Sequence, residues 1–167
     1  MLETISVVCV ASPLRVPRRL PPPSPAGAHA AMVAVLSVIA RPGDRLLCER
    51  ETYPGLRAIA AQLGLVLVGV EMDAAGIIPA QLEAAIREHA PAALYLNPTL
   101  HNPTTLTMPE ARRREITAIL AATNLPLIED DAYGFVPKAP PPPLALLAPA
   151  QGWHIAGLSK SIGAGLR

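Results

Sequence analysis

Lys160 has the neighbours that covalent chemistry on an aldehyde requires. It lies thirty positions after Asp130, and Tyr133 follows Asp130 at a spacing of three. A lysine amine forms a Schiff base with an aldehyde, and a buried acid can keep a pyridine nitrogen protonated so that the ring accepts electrons. A surface lysine beside a loop of small residues is the alternative for Lys160 taken alone. The spacing of the amine, the acid and the tyrosine favours the chemical interpretation.

Groups suited to a phosphate accompany this lysine. The segment 157–167 contains hydroxyls and an arginine, and Gly27-Ala28-His29 opens a predicted helix. Free backbone N–H groups and the helix dipole at such a start favour a phosphate. An amine, an acid, a tyrosine and phosphate-binding groups are together what pyridoxal 5'-phosphate needs. The sequence therefore predicts this cofactor.

Composition indicates one soluble globular domain with a real core. The 167 residues are 51% apolar and 16% charged, and the formal net charge is +1. A charge so close to zero gives no reason to expect direct nucleic-acid binding or an acidic partner. The longest basic cluster is Arg112-Arg113-Arg114. We interpret it as the solvated face of a helix.

Neither the cysteines nor the histidines indicate a disulfide framework or a metal site. Cys9 and Cys48 are the two cysteines, and the four histidines are scattered without ligand spacing. The predicted location is therefore the reducing cytoplasm. No membrane span is expected, because the longest apolar run, 30–40, is about half of the roughly 20 residues that a span needs.

The first 25 residues differ in composition from the rest. Prolines and arginines crowd the segment 15–25, and such a segment can neither pair in a sheet nor continue a helix. We interpret residues 1–25 as a poorly ordered or non-native head. Residues 26–167 are predicted to form one domain.

From Gly27 onward, helix and strand patterns alternate. The predicted helices cover 28–40 and 54–63, with one more beginning at Pro79 and another after a capping box of Thr107 and Glu110. The predicted strands are 45–49, 65–70, 92–96, 126–129 and 154–157, and the apolar run 65–70 is predicted to be buried on both faces. Such alternation implies right-handed crossovers. The predicted fold class is α/β, with a mainly parallel sheet between two layers of helices.

The residues suited to chemistry fall at strand ends or helix starts. Asp130 and Lys160 each follow a predicted strand, and Asn102 lies in the loop after another. Ligands of open parallel sheets bind at the carboxyl ends of the strands, so these residues are expected to share one site. For Asp130 the alternative is a strand-end cap, and for Asn102 it is an ordinary turn.

Four motifs resemble those of the fold-type I pyridoxal-phosphate enzymes, specifically the class I/II aminotransferases. The motifs are Tyr53-Pro54-Gly55, Leu96-Asn97-Pro98-Thr99-Leu100-His101-Asn102-Pro103-Thr104, Glu129-Asp130-Asp131-Ala132-Tyr133-Gly134, and Ser159-Lys160-Ser161 with Gly165-Leu166-Arg167. Each motif alone is weak, but four in the family's order and spacing are specific. The resemblance covers about residues 27–167, and it is greatest to the aminotransferase-like domain of GntR/MocR-type bacterial regulators.

The resemblance implies a role for each matched residue. Lys160 would form the Schiff base and shuttle a proton, while Asp130 would pair with the pyridinium nitrogen. Tyr133 and Asn102 would hydrogen-bond the phenolic oxygen of the cofactor, and Tyr53 would stack on its ring. The phosphate would be bound by the backbone amides of Gly27, Ala28 and His29, the hydroxyl of Ser159 and the guanidinium of Arg167.

Some assignments have alternatives, and some positions depart from the family. The family's Asp-x-x-Tyr spacing selects Asp130 over the adjacent Asp131. A turn aromatic before Pro-Gly is the alternative for Tyr53. Gly157 stands where the family usually has Ser or Thr three residues before the lysine, and Ala26 replaces the Ser or Thr common before the first glycine.

The function implied by the resemblance is amino-group transfer from an amino acid to a 2-oxo acid, by a homodimer in the full-length family. Because full members are much longer, we expect a truncated fragment without the small domain or a winged-helix domain for DNA. Alone it is expected to have little or no transaminase activity. Two further interpretations stay open: a pyridoxal-phosphate-binding effector domain of a GntR/MocR-type regulator, and an inactive gene remnant.

Overall fold

A five-stranded parallel sheet forms the centre of the molecule. The structure is a computed structural model that describes residues 27–157 and Lys160. Its strands are β1 (Arg45–Glu49), β2 (Val66–Val70), β3 (Met72–Asp73), β4 (Gly76–Ile77), β5 (Ala93–Leu96), β6 (Leu127–Asp130) and β7 (Gly152–Ile155). The main sheet has the order β2-β1-β5-β6-β7, and every neighbouring pair in it is parallel. β3 and β4 form a separate antiparallel pair.

Helices cover both faces of this sheet. They are α1 (Gly27–Ile39), α2 (Pro54–Leu63), α3 (Pro79–His89), α4 (Glu110–Thr123) and α5 (Leu144–Leu147). One core cluster joins α1 and α2 to the sheet, and its largest members are Met32, Leu36, Leu56, Ile59, Tyr95 and Trp153. The other joins α3, α4 and α5 to the opposite face, through Leu47, Leu82, Leu94, Ile116, Leu120 and Leu144. The predicted α/β fold with three layers is confirmed.

Several element bounds agree with the sequence prediction because local signals fix them. β1 and α2 have the predicted bounds, and Pro54 begins α2 at a position where its missing N–H costs nothing. Gly64 ends the same helix with φ of 68°, a left-handed conformation that glycine adopts without strain. None of the helices in residues 27–157 is long and apolar enough to cross a membrane.

β2 departs from the prediction of a strand buried on both faces. Among the described strands it lies at the edge of the sheet with β1 as its only neighbour, and Val66 is 50% exposed. A continuous apolar run predicts a central strand only when the sheet continues on both sides. The run 65–70 thus has the apolar composition of a central strand, although β2 is an edge strand of the described sheet.

The predicted capping box at the start of α4 is also wrong. Pro109 occupies the N-cap position and makes no side-chain cap hydrogen bond. The hydroxyl of Thr107 instead accepts a hydrogen bond from the backbone N–H of Leu100 at 3.2 Å. Thr107 therefore closes the loop that follows β5 and leaves the first turn of the helix without a side-chain cap.

β7 begins two residues earlier than the predicted strand 154–157, and the loop before it contains α5. Gly152 pairs with Leu127, and a Cβ atom at position 152 would lie 2.6 Å from the Cα atom of Ala145. Only a glycine allows α5 to approach the strand this closely. The strand therefore begins at Gly152, a residue type that strands do not favour.

Arg113 contradicts the interpretation of the three arginines as one solvated face. Its side chain is fully buried, whereas that of Arg114 is 64% exposed. The Arg113 guanidinium donates to the carbonyls of Met108 and Pro98 at 2.9 and 3.1 Å and lies 3.5 Å from a carboxylate oxygen of Glu129. Burial lowers the pKa of Arg113, and the charge of Glu129 opposes that shift. Arg113 thus fastens the loop after β5 to α4 and β6.

We expect Arg113→Met to lower the free energy of unfolding by about 3–5 kcal/mol, because the Glu129 carboxylate would remain buried without its cation. Arg114→Met is the matched control on the exposed side of the same helix, and it should change stability by less than about 0.5 kcal/mol. Urea unfolding followed by circular dichroism measures both values. Equal losses in the two variants would contradict the structural role of Arg113.

Candidate functional site

A cavity of about 170 Å³ lies at the carboxyl ends of the parallel strands, where the sequence placed the site. It is lined by Ala28, His29, Met32, Tyr53, Asn97, Asn102, Asp130, Ala132, Tyr133, Gly157 and Lys160. Seven of the predicted site residues are in this lining. Gly27 is not, although it begins α1 immediately before Ala28. Ser159 and Arg167 lie outside the described residues, as does the predicted head 1–25.

Different elements bring these residues together. Asp130 is the last residue of β6, Asn97 follows β5 directly, and Tyr53 precedes the first turn of α2. Ala28 and His29 belong to the first turn of α1. Because parallel strands end at the same edge of the sheet, residues far apart in sequence converge on one cavity.

Asp130 presents one carboxylate oxygen without a partner. The residue is 6% exposed, and its Oδ2 accepts a hydrogen bond from the Tyr95 hydroxyl at 2.8 Å. Its Oδ1 is buried and has no hydrogen-bond partner among the described residues. Burial raises the pKa of Asp130, and the hydrogen bond from Tyr95 opposes that shift. A buried, unsatisfied acceptor at a cavity wall is a position where a donor on a ligand would be stabilised.

Asn97 joins three parts of the site. Its side-chain nitrogen donates to the backbone carbonyl of Asp130, and its side-chain oxygen accepts from the backbone N–H of Asn102, both at 2.7 Å. Its own backbone N–H donates to Glu49 Oε1 at 2.9 Å. One amide therefore fixes the loop of Asn102 against the ends of β1 and β6.

Glu49 and His101 form a buried pair behind Asn97. Glu49 Oε2 lies 3.8 Å from His101 Nε2, and among the described residues neither atom has a hydrogen-bond partner. Burial raises the pKa of Glu49 to about 8 and lowers the pKa of His101. Nδ1 of His101 lies 2.7 Å from the hydroxyl of Thr104. The side chain of Glu49 is thus held between Asn97 and the imidazole.

The two adjacent acids differ in their surroundings. Asp131 Oδ2 lies 3.0 Å from His154 Nε2, and its hydrogen bond raises the pKa of His154. Asp131 is not in the cavity lining, whereas Asp130 is. The structure therefore separates Asp130, which faces the cavity, from Asp131, which is paired with a histidine on β7.

Lys160 reaches the same cavity from the end of the described chain. It is exposed, and its Nζ lies 6.0 Å from the centre of the Tyr133 ring. An amine, a buried free carboxylate oxygen, two tyrosines and the start of a helix thus surround one space. These groups fit pyridoxal 5'-phosphate, whose aldehyde, ring nitrogen and phosphate have the complementary chemistry. No three potential ligands of a metal ion come together within residues 27–157 and Lys160.

The sequence motifs assign no role to Tyr95 or to Asn97. Tyr95 lies in an apolar strand, where an aromatic residue is expected to pack in the core, so the sequence does not indicate a partner for its hydroxyl. Asn97 follows β5 directly, which is the same strand-end signal that identified Asp130, so its importance could have been predicted. The contact between Tyr95 and Asp130 depends on β5 and β6 being neighbours in the sheet. Local sequence does not determine the order of strands.

Comparison with known proteins places this arrangement in one family. The family model for aminotransferase class I and II matches residues 24–167. The HTH-type transcriptional regulator YdeF of Bacillus subtilis is 40% identical over 84% of this chain and 30% of its own length. The aminotransferase swnA of Metarhizium robertsii is 38% identical over 66% of this chain and 24% of its own length.

Solved structures of aminotransferases have a similar fold. LysN, an α-aminoadipate aminotransferase of Thermus thermophilus solved with N-(5'-phosphopyridoxyl)-L-leucine, superposes with a TM-score of 0.79 and 27% identity, over 84% of this chain and 38% of that one. An archaeal alanine:glyoxylate aminotransferase gives a TM-score of 0.77 and 31% identity, over 84% and 37%. This chain therefore spans between about a quarter and two fifths of the length of these relatives.

The raised pKa of Glu49 predicts a pH dependence of stability. A carboxyl whose pKa rises on folding binds its proton more tightly in the native state, so it stabilises the fold at low pH. This contribution should be lost as the pH rises from about 4.5 to about 8. We expect wild type to lose stability relative to Glu49→Gln across that window, as measured by urea unfolding in a series of buffers.

Glu83→Gln, which changes an exposed acid on α3, is the control for the removal of a carboxylate. Its difference in free energy of unfolding from wild type should stay constant over the same window. A constant difference for Glu49→Gln as well would show that the pKa of Glu49 is not raised in the native state.

Proposed function

The chain belongs to the class I and II aminotransferase family, and on this premise we propose that its strand-end cavity binds pyridoxal 5'-phosphate for amino-group transfer from an amino acid to a 2-oxo acid. The observation that carries the proposal is the buried, unpartnered Oδ1 of Asp130 in the same cavity as the amine of Lys160. Members of this family are pyridoxal-phosphate enzymes that act on amino acids and 2-oxo acids. The residues of this chain supply what that cofactor requires.

When bound, the cofactor supplies an aldehyde that reacts with amines and a ring that accepts electrons. Asp130 would hold a proton at the ring nitrogen, because its free oxygen is the acceptor that such an N–H needs. Lys160 would bind the cofactor covalently and then move the proton at the substrate Cα atom. Burial around Asp130 would strengthen a charge pair with the ring nitrogen relative to the same pair in water.

The other lining residues would orient the cofactor. Tyr133 and Asn102 would hydrogen-bond its phenolic oxygen, and Tyr53 would stack on its ring. The start of α1 at Gly27, Ala28 and His29 would bind the phosphate through backbone N–H groups. From the family motif, Ser159 and Arg167 are proposed to complete the phosphate site.

Residues 26–167 are proposed to be part of the large, cofactor-binding domain of such an enzyme. A homodimer and the lack of direct nucleic-acid binding remain predictions from the family resemblance and from the net charge of +1. The cytoplasm likewise remains the predicted location. The amino acid substrate depends on groups that select its side chain and carboxylate.

A regulatory role is the second candidate. The match to YdeF of Bacillus subtilis, a transcriptional regulator, covers more of this chain than does the match to the swnA aminotransferase. In that case the cavity would hold the cofactor as an effector, without turnover. Sequencing the DNA on both sides of the coding region separates the two candidates. A GntR-type domain encoded immediately upstream favours the regulator, and uninterrupted aminotransferase sequence alone favours the enzyme.

Lys160 should be the residue that borohydride links permanently to the cofactor. The 167-residue chain is incubated with pyridoxal 5'-phosphate, reduced, digested and analysed by mass spectrometry. The chain has two lysines, so Lys138→Arg is a matched control that should retain the adduct while Lys160→Arg loses it. An adduct on Lys138, or no adduct at high cofactor concentration, would contradict the proposed site.

Asp130→Asn and Asp131→Asn should differ in their effect on cofactor binding. Loss of the Asp130 carboxylate removes the partner of the ring nitrogen, and affinity should fall by roughly tenfold or more. Asp131 pairs with His154, away from the cavity lining, so Asp131→Asn should bind within about threefold of wild type. Absorbance titration with pyridoxal 5'-phosphate gives both affinities. Equal losses would argue against the assignment of Asp130.

A further inference from the structure

We propose that Tyr95 is a positioning residue that fixes the Asp130 carboxylate with one oxygen presented to the ring nitrogen of the cofactor. The inference rests on the proposed function, because it concerns the same site. It adds a residue that does not line the cavity and that the family motifs in the sequence do not include. Tyr95 would act only through Asp130.

The two carboxylate oxygens of Asp130 have different surroundings. The hydroxyl of Tyr95 donates to Oδ2 at 2.8 Å, and the contact is buried. Oδ1 has no partner within the described residues, yet it is equally shielded from water. A carboxylate free to rotate could exchange its two oxygens, and the donor on Oδ2 opposes this exchange. The hydrogen bond therefore leaves a defined acceptor directed away from Tyr95.

The backbone of Asp130 is held separately. Asn97 donates to the Asp130 carbonyl at 2.7 Å, and β6 is paired on both sides, by β5 and by β7. Because the main chain is fixed by these contacts, the remaining freedom of Asp130 is the rotation of its side chain. Tyr95 controls that rotation.

The state of Tyr95 suits this role. It is 0% exposed, with its ring in the core cluster between the sheet and α1 and α2. Burial and the nearby charges of Asp130 and Glu49 raise the pKa of Tyr95 well above its ordinary value. The phenol therefore stays protonated near neutral pH and can donate to Asp130. A neutral donor next to Asp130 also favours the ionised carboxylate that a protonated ring nitrogen needs.

A purely structural role for Tyr95 makes a different prediction. If the ring only filled the core, loss of its hydroxyl would affect any ligand of the cavity equally. If it acts through Asp130, the loss should be felt only by a ligand that has a nitrogen opposite Asp130. A cofactor analogue with carbon in place of the ring nitrogen, 1-deazapyridoxal 5'-phosphate, distinguishes the two.

The test measures the affinity of the 167-residue chain for both compounds by absorbance titration. Tyr95→Phe should weaken binding of pyridoxal 5'-phosphate by roughly tenfold to a hundredfold, the usual range for a hydrogen bond to a charged group. Binding of the deaza analogue should stay within about threefold of wild type. In an Asp130→Ala background, Tyr95→Phe should have no further effect, because two residues that act as one unit are not additive.

The control is Thr117→Val, which removes a buried hydroxyl of α4 that donates to the Arg113 carbonyl. Helix α4 packs in the core cluster on the opposite face of the sheet from Tyr95. It should leave both affinities unchanged. Urea unfolding checks that each variant is folded, and Tyr95→Met serves as a second donor-free variant if Tyr95→Phe does not fold.

Two results would overturn the inference: equal weakening of both ligands, or no weakening of either, by Tyr95→Phe. Its failure is separable from failure of the proposed function. If borohydride links the cofactor to Lys160 and Asp130→Asn weakens binding while Tyr95→Phe matches wild type, only the role of Tyr95 is wrong. If wild type binds no cofactor at all, the proposed function fails and this inference fails with it.

Discussion

Carboxylates buried at the carboxyl ends of adjacent parallel strands determine how the loops of this protein are arranged. Glu49 ends β1, and Glu129 and Asp130 end β6, each of them 6% exposed or less. Hydrogen bonds and cations offset part of the cost of burying a carboxyl group. Glu49 accordingly accepts from Asn97, and Glu129 accepts from the backbone N–H groups of Leu144 and Ala145. The loops after β5 and before β7 are shaped by these acceptors.

The elements that local chemistry fixes were predictable, and so was the place of the site. An apolar face at helical spacing gave α2, and short strand patterns gave β1 and β5. The rule that ligands bind at the carboxyl ends of parallel strands predicted one shared site for Asp130, Asn102 and Lys160, and all three line the same cavity. These inferences need only the order of elements along the chain.

What the sequence could not supply depends on neighbours in space. β2 looks like a central strand because composition records apolarity, while edge position depends on which strands lie beside it. Arg113 has the same side chain as its two neighbours in sequence. It is buried because Glu129 and two backbone carbonyls lie within reach of its guanidinium. Tyr95 gains its polar role only because β5 lies next to β6 in the sheet.

The alternation of side chains along β6 gives three consecutive acids three separate surroundings. Glu129 faces Arg113 and α5, Asp130 faces Tyr95 on the opposite side of the sheet, and Asp131 meets His154 just beyond the strand. A deletion of one residue in β6 before Glu129 would exchange the faces of all residues that follow it. Asp130 would then take the position opposite Arg113, and Asp131 that beside Tyr95. The length of β6 therefore fixes which of the three acids meets Arg113, which meets Tyr95 and which meets His154.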